Sequence, residues 1–464
     1  MTMVHQNNSR TKKELVDERS PLLVDEKDVG SKGASLSGSV FNLSTSIIGA
    51  GIMALPAAMK VLGLGFGIIG IVFLALLAEC SLEILIRFSR VGKAETYGEV
   101  MRYSFGSVGN WAFQICILLN NFGILVVYMI IIGDVLSGTS SSETHHAGVL
   151  EGWFGEYWWT GRTFVLLVVT LFIFSPLAFF KRIDSLRYSS ALAVGLAIVF
   201  IVIMAGITFI KLFNGSIAPP RLLPYVTDFT SVWKLFTAAP VLVTAFVCHF
   251  NVHTIDNELA DSSLIQKVVR ASLVLCSSVY ILTASFGFLL FGESTLDDVL
   301  ANFDADLGIP YGSLFNDIVR VSYALHLMLV FPVIFFSLRF YLSDLLFPSA
   351  RSIDLDNVRF VLMTTGLIIS SYVAANFIPS IWDAFQFTGA TATVCPGFIF
   401  LAAIELRDPN GIAAKKDKVL SVVMIVRAVS SNVVAISSNI NTTYIGSASW
   451  TDKTIFLEQT FHGL

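Results

Sequence analysis

The stretch SGSVFNLSTSIIGAGIMALPAAMK, residues 37–60, carries no charge before its final lysine, yet it places Asn42, Ser44, Thr45 and Ser46 directly ahead of Gly49-Ala50-Gly51, with Pro56 beyond. About 20 uncharged helical residues cross a hydrocarbon layer of roughly 30 Å. Polar side chains inside such a span are expensive and mark candidate functional positions. Glycines halfway along let the helix unwind, and unwinding frees backbone N–H and C=O groups. The end of a first half-helix then offers carbonyls, which suit an amine or a cation. The start of the second half offers unpaired N–H donors and a positive dipole end, which suit a carboxylate. An α-amino acid carries both groups. Small residues at this spacing also let two helices approach closely, so a packing patch stands as the alternative.

Composition places the rest of the chain in the same solvent. Of 464 residues 55% are apolar and 14% charged, with a mean hydropathy of +0.73, whereas soluble domains carry about 25% charged residues. The 38 Phe and 33 Gly fit lipid-facing surfaces and close helix packing. A net charge of −4, with no basic run beside aromatics, argues against a nucleic-acid partner. Cys80, Cys116, Cys248, Cys276 and Cys395 are scattered through apolar stretches without a CxxC pair and read as small hydrophobes. The polar residues 1–36 lack an apolar core, so they read as a disordered cytosolic tail without a cleaved signal peptide.

Charge-free stretches bounded by charged residues predict spans at 37–59, 61–78, 103–133, 163–180, 188–210, 235–255, 271–292, 321–338, 360–382 and 384–404. An eleventh, 419–441, is interrupted by Arg427. With the N-terminus in the cytosol, 22 of the 30 Lys and Arg fall on the cytosolic side: six in the tail, four in 87–102, three in 181–187, two in 267–270, three in 339–359 and four in 407–418. That is the asymmetry of the positive-inside rule. The opposite loops 134–160 and 293–306 are acidic, and Asn214-Gly-Ser216 and Asn441-Thr-Thr443 would face that side as glycan acceptors. The domain plan is therefore a tail at 1–36, a transmembrane domain at 37–441 and a C-terminal tail at 442–464.

A second interruption lies in KLFTAAPVLVTAFVCHFNVHTIDNEL, residues 234–259, where Pro240 and Thr244 precede His249, Asn251 and His253. Breaks in the first and sixth spans are what two inverted five-helix repeats produce, with the site between them. Phe246, Cys248 and His249 would shape its second wall. His249 reads either as a proton-responsive cavity residue or as a histidine satisfied by a backbone carbonyl. In the eighth span, Tyr323 and His326 share a helical face that would line the cavity. Asn120 and Asn121 in the third span offer amide donors, or simply interhelical hydrogen bonds. No nucleophile–base set, phosphate-cradling loop or metalloprotease motif occurs in a fitting context, so neither an enzyme, a cofactor nor a metal site is expected.

These residues resemble a known family. SVFNLSTSIIGAGIMALP, Tyr97-Gly98 before YSFG, and FVCH with NEL and DSS closing the sixth span are similar to the amino acid/auxin permease family, over roughly residues 36–440. The vacuolar amino acid transporters and the sodium-coupled neutral amino acid transporters are the relatives the motifs suggest. The resemblance implies an all-α membrane protein of about 11 transmembrane helices, similar to the bacterial leucine transporter, with substrate at broken helices 1 and 6. It also marks departures. Thr45 stands where the sodium-coupled branch has an Asn ascribed to sodium binding, and Met328 and Val330 stand where that branch has Thr-rich residues. Thioether and isopropyl groups give sodium no hard oxygen ligand.

The reading is thus a monomeric secondary active transporter of amino acids, sodium-independent and proton-linked, working by alternating access. Its candidate site comprises Asn42, Thr45, Ser46, Gly49, Ala50, Gly51, Phe246, Cys248, His249, Tyr323 and His326. Glu18-Arg-Ser-Pro-Leu22-Leu23 in the tail resembles an acidic dileucine address for lysosome or vacuole, read by sorting adaptors. The alternative is an ordinary solvated tail. The rival functions are a membrane sensor that binds amino acids without flux, and a carrier of another solute such as a polyamine. A polyamine would want an acidic cavity, and the middles of spans one, three, six and eight are uncharged.

Overall fold

The computed structural model describes residues 33–138, 147–296, 298–304, 307–378, 392–430 and 433, without the side chains at 229, 230, 233, 234 and 237. The tail up to residue 32, with Glu18, Leu22 and Leu23, lies outside the described residues. So do the C-terminal tail 442–464, residues 384–391 of the expected tenth span and most of 431–441.

The first span is two helices, Leu36–Ile47 and Gly51–Leu62, bent by 56° at residues 48–50. The second span is Leu64–Gly92, the third Tyr97–Ser137, the fourth Arg162–Ala178 and the fifth Arg187–Phe213. The sixth again comes in halves, Phe229–Phe246 and His249–Glu258. The seventh is Ile265–Phe291, the eighth Gly312–Leu346 and the ninth Asn357–Phe377. Helical residues 392–407 and 415–430 stand in the tenth and eleventh places. Among the described residues seven spans, the sixth taken across its break as Ala238–Glu258, are long and apolar enough to cross a membrane, and the bent first pair passes that test together. Among the described residues there is no β-strand, only an isolated bridge between Ala34 and Leu259.

Local chemistry sets the boundaries. Ser35, Thr96, Asp228 and Asp356 each cap a helix, their side chains accepting from the backbone N–H three residues on. Gly63, at φ +77°, turns the chain between the first two spans, and a β-carbon there would lie 2.7 Å from the Leu223 backbone. Pro56, Pro240 and Pro332 all sit inside helices. Pro240 therefore does not break the sixth span. The backbone gives way further on, where Val247 is extended and Cys248 takes φ −131°, ψ 7°.

The eighth span is the axis of the packing. Most of it is buried, and its most extensive neighbours are the third and fifth spans. The two halves of the first span divide their partners: Leu36–Ile47 packs on the fifth and seventh, and Gly51–Leu62 on the seventh and the first half of the sixth. A break in one helix thereby touches both repeats. The paired amides of the third span serve packing: Asn120 donates to Asn121 Oδ1 at 3.0 Å, and Thr393 of the tenth donates to Asn120 Oδ1 at 2.7 Å.

Candidate functional site between the broken helices

Where the first span parts, the regular pairing of its carbonyls is interrupted, and Gly49 O keeps only a tight-turn bond from Ile52 N at 3.2 Å. Protein side chains take up three consecutive ones. Tyr280 of the seventh span donates to Ile47 O at 2.5 Å, His326 Nε2 faces Ile48 O at 3.2 Å, and Tyr323 donates to Gly49 O at 2.7 Å. The sixth span supplies a fourth carbonyl: Ala245 O lies 2.6 Å from the same Tyr280 hydroxyl. One phenol thus ties both breaks together. Tyr280, Tyr323, His326 and Phe246 are all fully buried, and the Phe246 ring meets the Tyr280 ring edge-on, with centroids 5.2 Å apart.

The break is also close-packed. A β-carbon on Gly49 would lie 2.1 Å from the Tyr128 hydroxyl, and one on Gly51 would lie 3.3 Å from Ala245 Cα. Gly51 therefore serves the close approach of the two broken helices as well as the turn itself. The packing patch and the backbone-exposing break, two alternatives in the sequence, coincide in the structure.

The predicted residues divide into groups. Gly49, Ala50, Gly51, Tyr323 and His326 meet at the first break, and Phe246 joins them through Tyr280. Ser46 belongs to a polar bridge one turn earlier: Asn251 of the sixth span donates to Ser46 Oγ at 2.7 Å, and Ser46 donates to Asn42 O at 3.0 Å. Thr45 directs its hydroxyl to Phe41 O and to Ser190 O of the fifth span. Asn42 points away from the break and donates to Ile183 O at 3.1 Å. Ser39, Ile183, Asp184 and Glu258 close around it and leave no space for a water molecule. Cys248 is fully buried at the second break. His249 turns to the second span, its Nε2 2.7 Å from Ser81 Oγ, while its Nδ1 is buried without a partner.

Tyr128, Tyr280, Ser81 and the Asn251–Ser46 pairing did not emerge as site residues from the sequence. Tyr128, Tyr280 and Ser81 are single hydroxyls among many in apolar spans of this chain, too numerous for the sequence to single out these three.

Charged groups keep to the ends. On the Lys- and Arg-rich face, Arg87 pairs with Glu405 and, at 3.2 Å, with Asp417, while Ser421 donates to Glu405 at 2.6 Å. On the opposite face Arg162 pairs with Asp134, and Arg320 lies 3.5 Å from Asp304. Among the described residues no three His, Cys, Asp or Glu side chains gather as a metal site.

Two broken spans in a helical membrane protein, five spans apart, with side-chain donors holding the carbonyls of the breaks, define a transporter of the inverted-repeat, broken-helix class. The chain belongs to the family described as transmembrane amino acid transporter protein, matched over residues 32–442. It is 63% identical over 407 residues to "Amino acid transporter AVT6A" of Arabidopsis thaliana, covering 88% of each chain, and 58% identical over 441 residues to "Amino acid transporter AVT6B" of the same plant, covering 94% of this chain and 97% of that one. A more distant relative, "Sodium-coupled neutral amino acid symporter 2" of Danio rerio, is 26% identical over 82% of this chain and 77% of that one.

Solved structures carry the fold well beyond that similarity. MhsT in complex with L-phenylalanine superposes with a TM-score of 0.54 at 13% identity, covering 87% of this chain and 99% of that one. A Na+-coupled sialic acid symporter gives 0.56 at 14%, covering 89% and 90%. The expected fold, similar to the bacterial leucine transporter with broken helices 1 and 6, is the one present. The family is one of transporters, and no enzyme is encoded.

Proposed function

We propose that the chain is a monomeric secondary active transporter that moves amino acids across a vacuolar or lysosomal membrane by alternating access, linked to protons and independent of sodium. The observation that carries this is the row of carbonyls at residues 47–49 and 245, held by the side chains of Tyr280, Tyr323 and His326. An ammonium group has three donors and can replace those hydroxyls. The N-terminal ends of Gly51–Leu62 and His249–Glu258, where Ile52, Met53 and Asn251 already donate to Gly49 O, Ala50 O and Cys248 O, present positive dipole ends that suit the carboxylate of the same molecule. The names of the relatives support the substrate class.

Sodium independence rests on side-chain chemistry. Met328 and Val330 carry no oxygen, and the Thr45 hydroxyl is engaged by two backbone carbonyls. The vacuolar or lysosomal address rests on Glu18, Leu22 and Leu23, and the placement of the N-terminus in the cytosol rests on the distribution of Lys and Arg. The direct test is uptake of labelled amino acids by proteoliposomes under separately imposed pH and sodium gradients. Accumulation should follow the pH gradient. Uptake that follows sodium and ignores pH overturns the coupling, and no uptake of any amino acid overturns the substrate class.

A further inference from the structure

His326 is fully buried, and both of its ring nitrogens face backbone carbonyls. Nδ1 lies 2.8 Å from Ala193 O on the fifth span, and Nε2 lies 3.2 Å from Ile48 O at the break of the first. A carbonyl oxygen only accepts, and a neutral imidazole has a single N–H. In the neutral form one nitrogen would turn its lone pair towards a carbonyl oxygen. In the imidazolium form both contacts are hydrogen bonds, and charge-assisted ones. Three elements meet at this ring: the hinge of the first span, the fifth span, and the eighth span that bears it.

We infer that His326 carries the coupling proton: protonated, it clamps the broken first helix to the fifth, and losing the proton releases one of the two carbonyls and frees the hinge to move. The inference rests on the proton-linked reading above and names the group responsible. The proton would enter with the site open to one side and leave with it open to the other, so that substrate and proton cross in a fixed ratio.

The surroundings leave His326 as the group to change charge there. Tyr323, one turn back on its own helix, stacks on the ring at 5.1 Å and gives its hydroxyl proton to Gly49 O. Around the breaks Tyr128 of the third span and Tyr280 of the seventh are phenols, Cys276 and Cys248 are buried thiols, and His249 turns away to Ser81 on the second span. The charged groups on the elements packed against the eighth span sit at its ends, Arg320 with Asp304 and Asp134 with Arg162 at one, and Arg339 and Asp344 towards the other.

The test uses the full chain in proteoliposomes loaded with a radiolabelled mixture of the protein amino acids. Two readouts are taken: accumulation driven by a pH gradient, and exchange of internal for external label at equal pH on both sides. In the wild type, accumulation should follow the gradient and exchange should vary with pH. His326→Gln retains an amide N–H for a carbonyl but has no titratable proton. With the clamp lost, it should exchange faster than the protonated wild type, show an exchange rate that no longer depends on pH between about 5 and 8, and lose gradient-driven accumulation. A variant that still accumulates along the pH gradient overturns the assignment to His326. A wild type that exchanges but never accumulates along it overturns proton linkage itself. If the variant does not fold, nitrogen NMR of the wild-type protein labelled at histidine decides: one buried ring must show both nitrogens protonated in the closed state, and its absence overturns the inference.

Discussion

Removing one oxygen, in Tyr280→Phe, tests whether the two breaks are held shut together. The hydroxyl has one proton and lies 2.5 and 2.6 Å from Ile47 O and Ala245 O, so it serves two carbonyls on two different spans. The ring would stay where it packs on Phe246, which confines the change to the hydroxyl. A buried carbonyl left without a donor costs about 1–3 kcal/mol. In the closed packing both carbonyls are buried, and in an opened site water can reach them. The cost therefore falls on the closed state, and about 1–3 kcal/mol shifts the open-to-closed ratio roughly 5- to 150-fold. Cys248, fully buried at the second break, reports that shift. With Cys80, Cys116, Cys276 and Cys395 replaced by Ser, the rate of Cys248 alkylation measures how often the site opens. Tyr280→Phe should react at least about fivefold faster and transport more slowly, because closing becomes the difficult step. If the variant alkylates and transports at the wild-type rates, the hydroxyl does not join the two breaks and the reasoning fails.

Other perturbations bear on separate parts of the molecule. Gly49→Ala forces a methyl group against the Tyr128 hydroxyl; overpacking of this kind costs about 1–3 kcal/mol, so transport should fall, and a second substitution, Tyr128→Phe, should recover part of it. Gly51→Leu fills the contact with Ala245 and should abolish uptake while surface-corrected expression stays normal; a fully active variant would remove the site from this position. Arg87→Ala strands the buried Glu405 carboxylate. Because Arg87 is itself one-third exposed, the usual penalty for breaking a buried pair drops to about 1–3 kcal/mol. It is read as a lower thermal unfolding midpoint that Glu405→Gln restores in the double variant. Leu22→Ala with Leu23→Ala should shift the protein from internal membranes to the cell surface in a fluorescence assay, and unchanged localisation would count against the address.

The breaks were legible because they are local. Gly49-Ala50-Gly51 after four polar residues marks a helix that cannot stay regular at low cost, and the cluster at His249 marks the second. The exact point of the second was not legible. Pro240 is the conspicuous residue, yet it is accommodated inside the helix, while the backbone yields at Val247 and Cys248, which carry no turn chemistry of their own. Which side chains close on the breaks was not legible either. Tyr128 lies on a stretch without other polar residues, and Tyr280 lies in a stripe with Ser272, Cys276 and Thr283 that does not name its partner. Their roles depend on the rotation and register of one helix against another, and a repeat of 3.6 residues fixes a face without fixing its partner. Asn42 shows the reverse error of inference. It is polar and intramembrane as expected, but sits a turn too early and spends its amide on Ile183 O.

The same register explains why a site built from backbone can be both selective and movable. Carbonyls at residues 47–49 are fixed to the chain and cannot rotate away, so any opening of the first break must hand them from one donor to another. Three of those donors, Tyr280, Tyr323 and His326, belong to the seventh and eighth spans, whereas the carbonyls belong to the first and sixth. Rocking one group of helices against the other therefore breaks a known set of hydrogen bonds together, each worth about 1 kcal/mol net. On the proposed reading, a substrate ammonium supplies the replacement donors and lowers the barrier to that exchange. A solute without an ammonium would leave buried carbonyls bare, and that deficit would select for an amino acid without an acidic side chain of the protein at the breaks.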